Sequence, residues 1–503
     1  MRRRTMLTRI AVLLLASAAI AFAVLRLEEP YHGLVQSTSS LDGTPVTVQR
    51  RADAPPGPVV VIAHGFAGSR QLMQPFAVTL AQNGYVAVSF DFQGHGRNPT
   101  PLAGDVTQED GATRALLGEL ERVIMFARKL QGGDGRVALL GHSMASDIVV
   151  RAAVADPDIA ATVAVSMFTR EVTADAPRNL LVIVGEYENF LSEEALKAVA
   201  LSTGQPATEA VTYGDPAIGT ARRAVFADGT EHVSVLYSGE GLSEAVAWLD
   251  MVFDRTGSGF VETRGRWVIL MLAGSLALVW PLSSLLPRIG GRTGVLSRGR
   301  FWAFCLAPAV VTPLVLWPIP TRFLPVLVAD YLALHFLLYG ALTLGGLCAT
   351  GALKISRPTR LLMLAAGAAT VLSILVIAVP IDRYVASFLP GPDRLSLIGI
   401  LALGTLSYTC GDAWLIGRQG ARWWWYPASK LALIGSLALA VALNLEQLFF
   451  LIIILPVILL FFIVYGVMNR WIYRATRAPA VGGVALGIAF AWALGVTFPL
   501  LSG

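Results

Sequence analysis

Ser143, His232 and a small set of carboxylates are the residues whose types and spacing could carry nucleophilic chemistry. Ser143 lies in "ALLGHSMASD", residues 138–147, where an apolar run stops at Gly141 and a helical pattern follows. A serine hydroxyl is a weak nucleophile near neutral pH, so it needs an adjacent base that a carboxylate orients. A sharp strand-to-helix turn presents its Oγ and puts the next backbone N–H at a helix start, where it can hold an oxyanion. Strand and helix pass so close there that small residues are required two before and two after the serine. Gly141 meets this without strain, and Ala145 adds one methyl, a tight fit. His232 ends "RRAVFADGTEH", ahead of a terminal helical pattern through Trp248. Glu188 competes with Glu186, Asp215 and Asp228 as the orienting acid, and its spacing after Gly185 favours Glu188.

Elements that could position these groups alternate between residues 28 and 265. "PVVVIAHG" is a short, solidly apolar run, as expected of a strand buried on both faces of a parallel sheet. A helical segment over about residues 70–83 follows, then the strand "YVAVSFDF" and a long amphipathic helix over about residues 108–130. "RVALLGHS" is a strand, "MASDIVVRAAVA" a helix, and "ATVAVSM" and "NLLVIVGE" are strands. The order predicts a doubly wound α/β sheet with right-handed crossovers. Chemistry in such sheets sits at the carboxyl ends of the strands, which is where Ser143, Glu188 and His232 fall.

The motifs at these strand ends, "HGFAGS", "DFQGHGRN" and "GHSMA", together resemble the monoacylglycerol-lipase and serine-aminopeptidase branch of the α/β-hydrolase fold. The resemblance covers residues 35–253, a little under half of the chain. It implies Ser143 as nucleophile, His232 as base and Glu188 as acid, with the Phe66 and Met144 backbone N–H groups as oxyanion hole. Two departures stand out: Ala145 where glycine is usual, and glutamate where aspartate is commoner. His64 and Gly65 shape the oxyanion loop, while His142 fills the variable elbow position. Asp91 and His95 read as turn-stabilising residues, and Asp147 as a helix-face carboxylate. Relatives of this kind usually insert a helical cap before the acid strand. Here only "TREVTADAPR" separates "VSMF" from "NLLVIV", too short for a cap. The site is therefore expected to be open, or covered by outer loops of the remaining chain or by lipid.

That remaining chain is built for lipid. The 503 residues are 55% hydrophobic and only 15% charged, against roughly 25% charged in ordinary soluble domains. The net charge of +5 hides a division: residues 28–265 carry −12 and the rest +17. Basic residues lie in short clusters between apolar spans, which excludes a nucleic-acid footprint. The N-terminus has a basic start and an apolar stretch over residues 10–25, read in the first place as an uncleaved signal anchor, with "AFA" at 21–23 leaving a cleaved signal peptide as the alternative. Eight further spans of near 20 residues are expected at about 267–287, 301–319, 324–350, 361–381, 395–416, 428–445, 448–468 and 480–501. Three parts follow: an anchor over 1–27, the α/β domain over 28–256, and an all-α transmembrane domain over 257–503.

One alternate set of loops holds Arg2, Arg3, Arg4 and Arg9; Arg288, Arg292, Arg298 and Arg300; Lys354, Arg357 and Arg360; Arg418 and Arg422; and Arg470, Arg474 and Arg477. The other set has little beyond Arg322, Arg383 and Arg394. The positive-inside rule then puts the N-terminus in the cytoplasm and the acidic domain outside a plasma membrane. Asp330, His335 and Asp412 are ionisable within spans and so are functional candidates beside a structural reading. The aromatics of "RWWWYP" read as an interfacial belt.

Cys305, Cys348 and Cys410 all fall in apolar spans, so the α/β domain has no disulfide or cysteine-based metal site. No phosphate-binding loop, dinucleotide fingerprint or zinc-spaced His/Cys set occurs, and no cofactor or metal is expected. The expected activity is a membrane-anchored serine hydrolase cleaving an ester, with lipid or lipid-linked acyl groups as favoured substrates. Peptidase or amidase chemistry is a lesser expectation, acyl transfer by the same triad is the chemical alternative, and a transporter or receptor with a hydrolase-like binding module is the different class. Membrane lipids and an acyl substrate are the expected partners, with no nucleic acid; protein partners and oligomeric state are not legible.

Overall fold

The computed structural model describes residues 2–104, 111–290, 294–321, 323–353, 357–418 and 420–502. The start of the helix read near Gln108, and the loop residues Arg292, Arg322 and Lys354, lie outside the described residues. The chain forms two compact units. One comprises Phe22–Ile269 together with Ile381–Ser387 and Pro499–Gly503; the other comprises Met1–Ala21, Leu270–Pro380 and Phe388–Phe498.

In the first unit, eight strands make one sheet: β1 (Leu34–Leu41), β2 (Thr44–Arg51), β3 (Gly57–Ala63), β4 (Val86–Phe90), β5 (Gly133–His142), β6 (Ile159–Val165), β7 (Leu180–Gly185) and β8 (Arg222–Ala227). Their order is β1-β2-β4-β3-β5-β6-β7-β8. The six strands from β4 to β8 across the sheet run parallel, and β1 and β2 add an antiparallel hairpin at one edge. β3, β4 and β7 are buried along their whole length, which is why they read as solid apolar runs rather than alternating ones. The polar, exposed β1 ends the sheet. Its turn uses Asp42 and Gly43, both with positive φ, the backbone that a two-residue hairpin requires.

Helices cover both faces. α1 (Arg2–Glu28) precedes the sheet. α2 (Gln74–Gln82), α3 (Ala112–Arg128), α4 (Met144–Ala155), α5 (Asn189–Thr203) and α6 (Gly239–Phe253) follow their strands in turn. Phe76, Trp248 and Leu249 of α2 and α6 pack with Val60, Ile62 and Leu140 on one face. Leu120 and Val123 of α3 and Val149 of α4 pack with Val59, Val61 and Leu139 on the other. This is the doubly wound α/β sheet that the strand pattern predicts, and it agrees with the resemblance to the α/β-hydrolase fold. Residues 166–179, between β6 and β7, hold no helix, so no sizeable cap is inserted there.

α2 starts four residues later than the predicted helix. Asp91 explains the delay: its carboxylate accepts the Arg70 backbone N–H at 2.7 Å and the Arg70 guanidinium at 3.0 Å, holding residues 70–73 in a turn. Two segments distant in sequence join this unit. Ser387 donates its N–H to Ser69 Oγ and its hydroxyl to Gln71 Oε1, both at 3.0 Å, and Arg97 pairs with Asp382 at 2.5 Å. Leu500 and Leu102 pair through backbone bonds, Leu500 also donating to the Gly94 carbonyl at 2.9 Å.

The second unit is all-helical. With α1, the helices α7 (Arg264–Ser283), α8 (Arg298–Leu316), α9 (Ala329–Ala349), α10 (Arg360–Tyr384), α11 (Pro392–Ile416), α12 (Trp425–Leu443), α14 (Phe450–Thr476) and α15 (Pro479–Thr497) make nine, among the described residues, that are long and apolar enough to cross a membrane. A short α13 (Leu445–Leu448) joins α12 to α14. Several boundaries differ from the sequence reading by a few residues, and two of the differences move notable residues. α14 continues past residue 468 to Thr476, carrying Arg470 and Arg474 on the helix itself. α15 ends at Thr497, short of residue 501, because the backbone before Pro499 is driven out of the helical region.

The three ionisable candidates in the spans have separate settings. Asp330 opens α9 and accepts the backbone N–H groups of Phe323 and Tyr331. His335 is fully buried between the Tyr331 hydroxyl at 3.3 Å and the Ser436 hydroxyl at 3.1 Å. Asp412 forms a buried ion pair with Lys430, whose ammonium lies about 5 Å from the Tyr426 and Phe462 rings. Sequence reading missed Lys430, because a lone lysine in an apolar span shows no partner until helices are paired.

Candidate active site

Local strain marks the centre of the site. Ser143, between β5 and α4, has φ 55° and ψ −120°, a conformation L-residues rarely adopt outside over-determined turns. Three things hold it. Ser143 N–H donates to the Val165 carbonyl at 2.9 Å, and Ser146 returns both its N–H and its hydroxyl to the Ser143 carbonyl. Gly141 lets the elbow close, since a Cβ there would meet the Ala145 carbonyl and the Val149 side chain. The Ala145 side chain itself is fully buried among the α3–α4 packing, so its extra methyl fits.

His232 comes to this elbow from the loop after β8. Its Nε2 lies 2.8 Å from Ser143 Oγ, and its Nδ1 lies 2.5 Å from Glu188 Oε1. Glu188 follows β7, and its other oxygen accepts Ser166 Oγ–H at 2.7 Å and Gly185 N–H at 2.9 Å. Burial alone would raise the Glu188 pKa, but the bonds from His232, Ser166 and Gly185 outweigh it and hold the carboxyl below the usual carboxylate range. The group is thus an anion, oriented on three sides, facing Nδ1. Of its competitors, Glu186 accepts the Gly229 N–H, Asp215 accepts the Ala217 N–H, and Asp228 is engaged through its backbone with Glu240. Ser166, which sequence reading missed, is buried with φ 50°. A single serine after a strand carries no spacing signal that would have found it.

The turn after β3 abuts the same elbow. A Cβ on Gly65 would lie 3.0 Å from the Ser143 Cβ and from the His142 carbonyl, so any larger residue would press on the elbow. Phe66 follows in that turn, and Met144 opens α4, where the first helical N–H groups have no acceptor within the helix. His64 is fully buried, with Nδ1 on the Gly65 carbonyl at 2.8 Å and Nε2 accepting the Phe92 N–H at 3.0 Å. It ties two strand ends together and shapes the loop. His142 turns under the site, its Nε2 2.8 Å from the His232 carbonyl. Asp91 and His95 are engaged in turns, His95 with the Gln93 carbonyl at 2.8 Å. Asp147 is bound to Thr169 and Arg151 along α4, away from the Ser143–His232 line.

Burial pushes both His64 and His142 down to about 4, so both are neutral at pH 7. Unfolded, each takes up a proton near pH 6.5; folded, only near 4. Their contribution is therefore intact above about pH 6.5, declines as pH falls towards 4, and is fully lost below that. Each accounts for up to about 3 kcal/mol of this loss. The unfolding midpoint of the full chain is expected to drop between pH 7 and 4.5, and His142→Gln, which keeps a donor towards His232, to flatten that drop. An unfolding series monitored by fluorescence checks this; an equally steep fall in the variant would contradict it.

Apolar side chains stand exposed near Glu188 and His232. Phe168, Tyr187 and Phe190 are each about 60% or more accessible, and Val233 follows His232. The Phe168 and Phe190 rings lie 6.2 Å apart, and Phe168 N–H is tied to Ser146 Oγ. Among the described residues, no group of three His, Cys, Asp or Glu side chains could hold a metal ion.

The match to a protein family falls within this unit. The family model described as serine aminopeptidase, S33, matches residues 54–221. Among solved structures, the chain is similar to a hypothetical protein of Pseudomonas aeruginosa, with 12% identity, 40% of this chain and 88% of that one covered, and a TM-score of 0.30. It is also similar to E-2-(acetamidomethylene)succinate hydrolase, with 15% identity, coverages of 43% and 99%, and a TM-score of 0.32. Epoxide hydrolase from Vigna radiata shares 22% identity over 27% of this chain and 39% of that one, with a TM-score of 0.22. A search of curated proteins finds no match. The N-terminal part of the chain is an α/β-hydrolase domain, its residues 54–221 matching the serine aminopeptidase S33 family, and it is joined to an all-helical region of apolar helices.

Proposed function

We propose that the chain is a membrane-anchored serine hydrolase that cleaves an ester of a lipid or lipid-linked acyl group. The observation that carries this reading is the continuous relay from Glu188 through His232 to Ser143, with contacts of 2.5 and 2.8 Å. His232 Nε2 takes the proton of Ser143 Oγ as that oxygen bonds to the acyl carbonyl carbon. The carbonyl oxygen becomes an oxyanion, held by the Phe66 and Met144 N–H groups. His232 then protonates the leaving alkoxide, and the C–O bond to the alcohol breaks. Water repeats the sequence against the acyl-Ser143 ester, releasing the acid and restoring the serine. Glu188 stays ionised throughout and stabilises the imidazolium.

Exposed Phe168, Tyr187 and Phe190, and the short segment between β6 and β7, support an apolar acyl group entering without a cap. The arginine parity of the loops supports a plasma-membrane location with the hydrolase domain outside the cytoplasm. A p-nitrophenyl ester series from acetate to laurate, with the full chain in neutral detergent, tests the reading. Turnover is expected to rise with chain length. Phe168→Ala with Phe190→Ala should lower kcat/KM about tenfold for the longer esters and leave acetate nearly unchanged, the value of about one lost apolar ring contact. No hydrolysis of any ester in the series would overturn it.

A further inference from the structure

The helical unit holds a cavity of about 650 Å³ at the end of the bundle where α11 ends, α12 begins, α14 ends and α15 begins. Its lining is divided. Arg422, Arg470, Arg474 and Arg477 surround one part, and Ile463 and Val467 of α14 line another, nearer the middle of the helix. All four arginines are exposed, and among the described residues none has a carboxylate within ion-pair distance. Among the described residues, no Asp or Glu lines the cavity.

Arg470, Arg474 and Arg477 lie at i, i+4 and i+7 on α14 and its cap, so they share one helix face. Like charges at that spacing disfavour the helix unless an anion sits among them. The negative end of the α14 dipole offsets part of this repulsion. It does not account for Arg422, which reaches the same cavity from the segment before α12. Arg418 makes a useful contrast: its guanidinium is spent on the carbonyls of Trp414, Gly294 and Ala352. The other wall is fixed, because Tyr426 donates its hydroxyl to the Phe462 carbonyl and its ring lies where a Cβ on Gly466 would be. Trp423, 82% exposed, stands at the rim, where an indole suits a membrane–water interface.

We propose that this cavity binds a phosphate-bearing anion, with the guanidinium groups on the phosphate oxygens and the Ile463–Val467 wall taking the apolar part of a phospholipid. Planar guanidinium forks suit such oxygens in paired contacts, and basic pockets between membrane helices are suited to lipid head groups. The site does not depend on the reaction at Ser143.

Native mass spectrometry of the full chain from neutral detergent tests it, with dioctanoyl phosphatidylglycerol, dioctanoyl phosphatidylcholine or inorganic phosphate added. One phosphatidylglycerol should be retained saturably, with phosphatidylcholine and inorganic phosphate retained far less. R470Q/R474Q should reduce that occupancy about tenfold or more, while R298Q/R300Q, the same charge change outside the cavity, should not. Unfolding midpoints of the variants verify that each is folded. Should a folded R470Q/R474Q chain hold the lipid as well as the parent, or phosphatidylcholine be held equally, the proposal fails. Inorganic phosphate retained in place of phosphatidylglycerol, and lost in R470Q/R474Q, would keep the anion and overturn the lipid as its source.

Discussion

Ser143→Ala is expected to lower kcat for ester hydrolysis by about 10⁴- to 10⁶-fold while the protein stays folded. The size follows from the chemistry removed: without Oγ there is no acyl-enzyme, and the remaining N–H donors and binding surface can only assist direct attack by water. Folding should survive because the strained backbone is held by groups that alanine keeps. Ser143 N–H still donates to Val165, and Ser146 still bonds the residue 143 carbonyl. The positive φ at 143 disfavours alanine no more than serine. Steady-state kinetics on a p-nitrophenyl ester, with the unfolding midpoint measured alongside, check both halves. Residual turnover within tenfold of the parent would assign the chemistry to another group.

Glu188→Gln is expected to cost about 10³- to 10⁴-fold in kcat with little change in KM. Glutamine keeps the volume but not the charge that faces His232 Nδ1, and its amide can present a donor to a donor. The anion also gathers Ser166 Oγ–H and Gly185 N–H, so the substitution loosens three bonds that fix one carboxylate. The matching changes Glu186→Gln, Asp215→Asn and Asp228→Asn should stay within about threefold of the parent, because Glu186 and Asp215 accept other backbone N–H groups and His232 Nδ1 is already taken by Glu188. A pH–rate profile sharpens the point. The low Glu188 pKa keeps it ionised across the neutral range, so its loss should depress the whole profile rather than shift one limb. Were Asp228→Asn the damaging change and Glu188→Gln harmless, the acid would have to be reassigned.

Much of this site was legible because its signals are local. The parallel strands are too short and too apolar to read otherwise, and glycine at 141 beside a serine at 143 marks a tight strand-to-helix turn. What stayed hidden depends on distant pairing. Ser166 is one serine among many until β6 is laid beside β7. The β1–β2 hairpin was marked by Asp42-Gly43, but β1 is polar and exposed and the mostly buried β2 mixes threonine and glutamine with its valines, so periodicity did not draw attention to them. α5 carries a weak apolar stripe with only three buried residues, and it too escaped the pattern. Leu500 and Leu501 looked like the end of a span, yet they pair with Gly94 and Leu102, four hundred residues earlier. Arg470 and Arg474 read as loop charges because an apolar window ends at 468, whereas the helix they sit on runs to Thr476.

The most direct test of the central claim is covalent labelling of the full chain with a fluorophosphonate probe, followed by peptide mapping. Labelling that approaches one probe per chain, located on Ser143 and absent from Ser143→Ala, is the predicted result. A folded chain that takes up no probe, or takes it up at another residue, would contradict the assignment of Ser143 as the nucleophile.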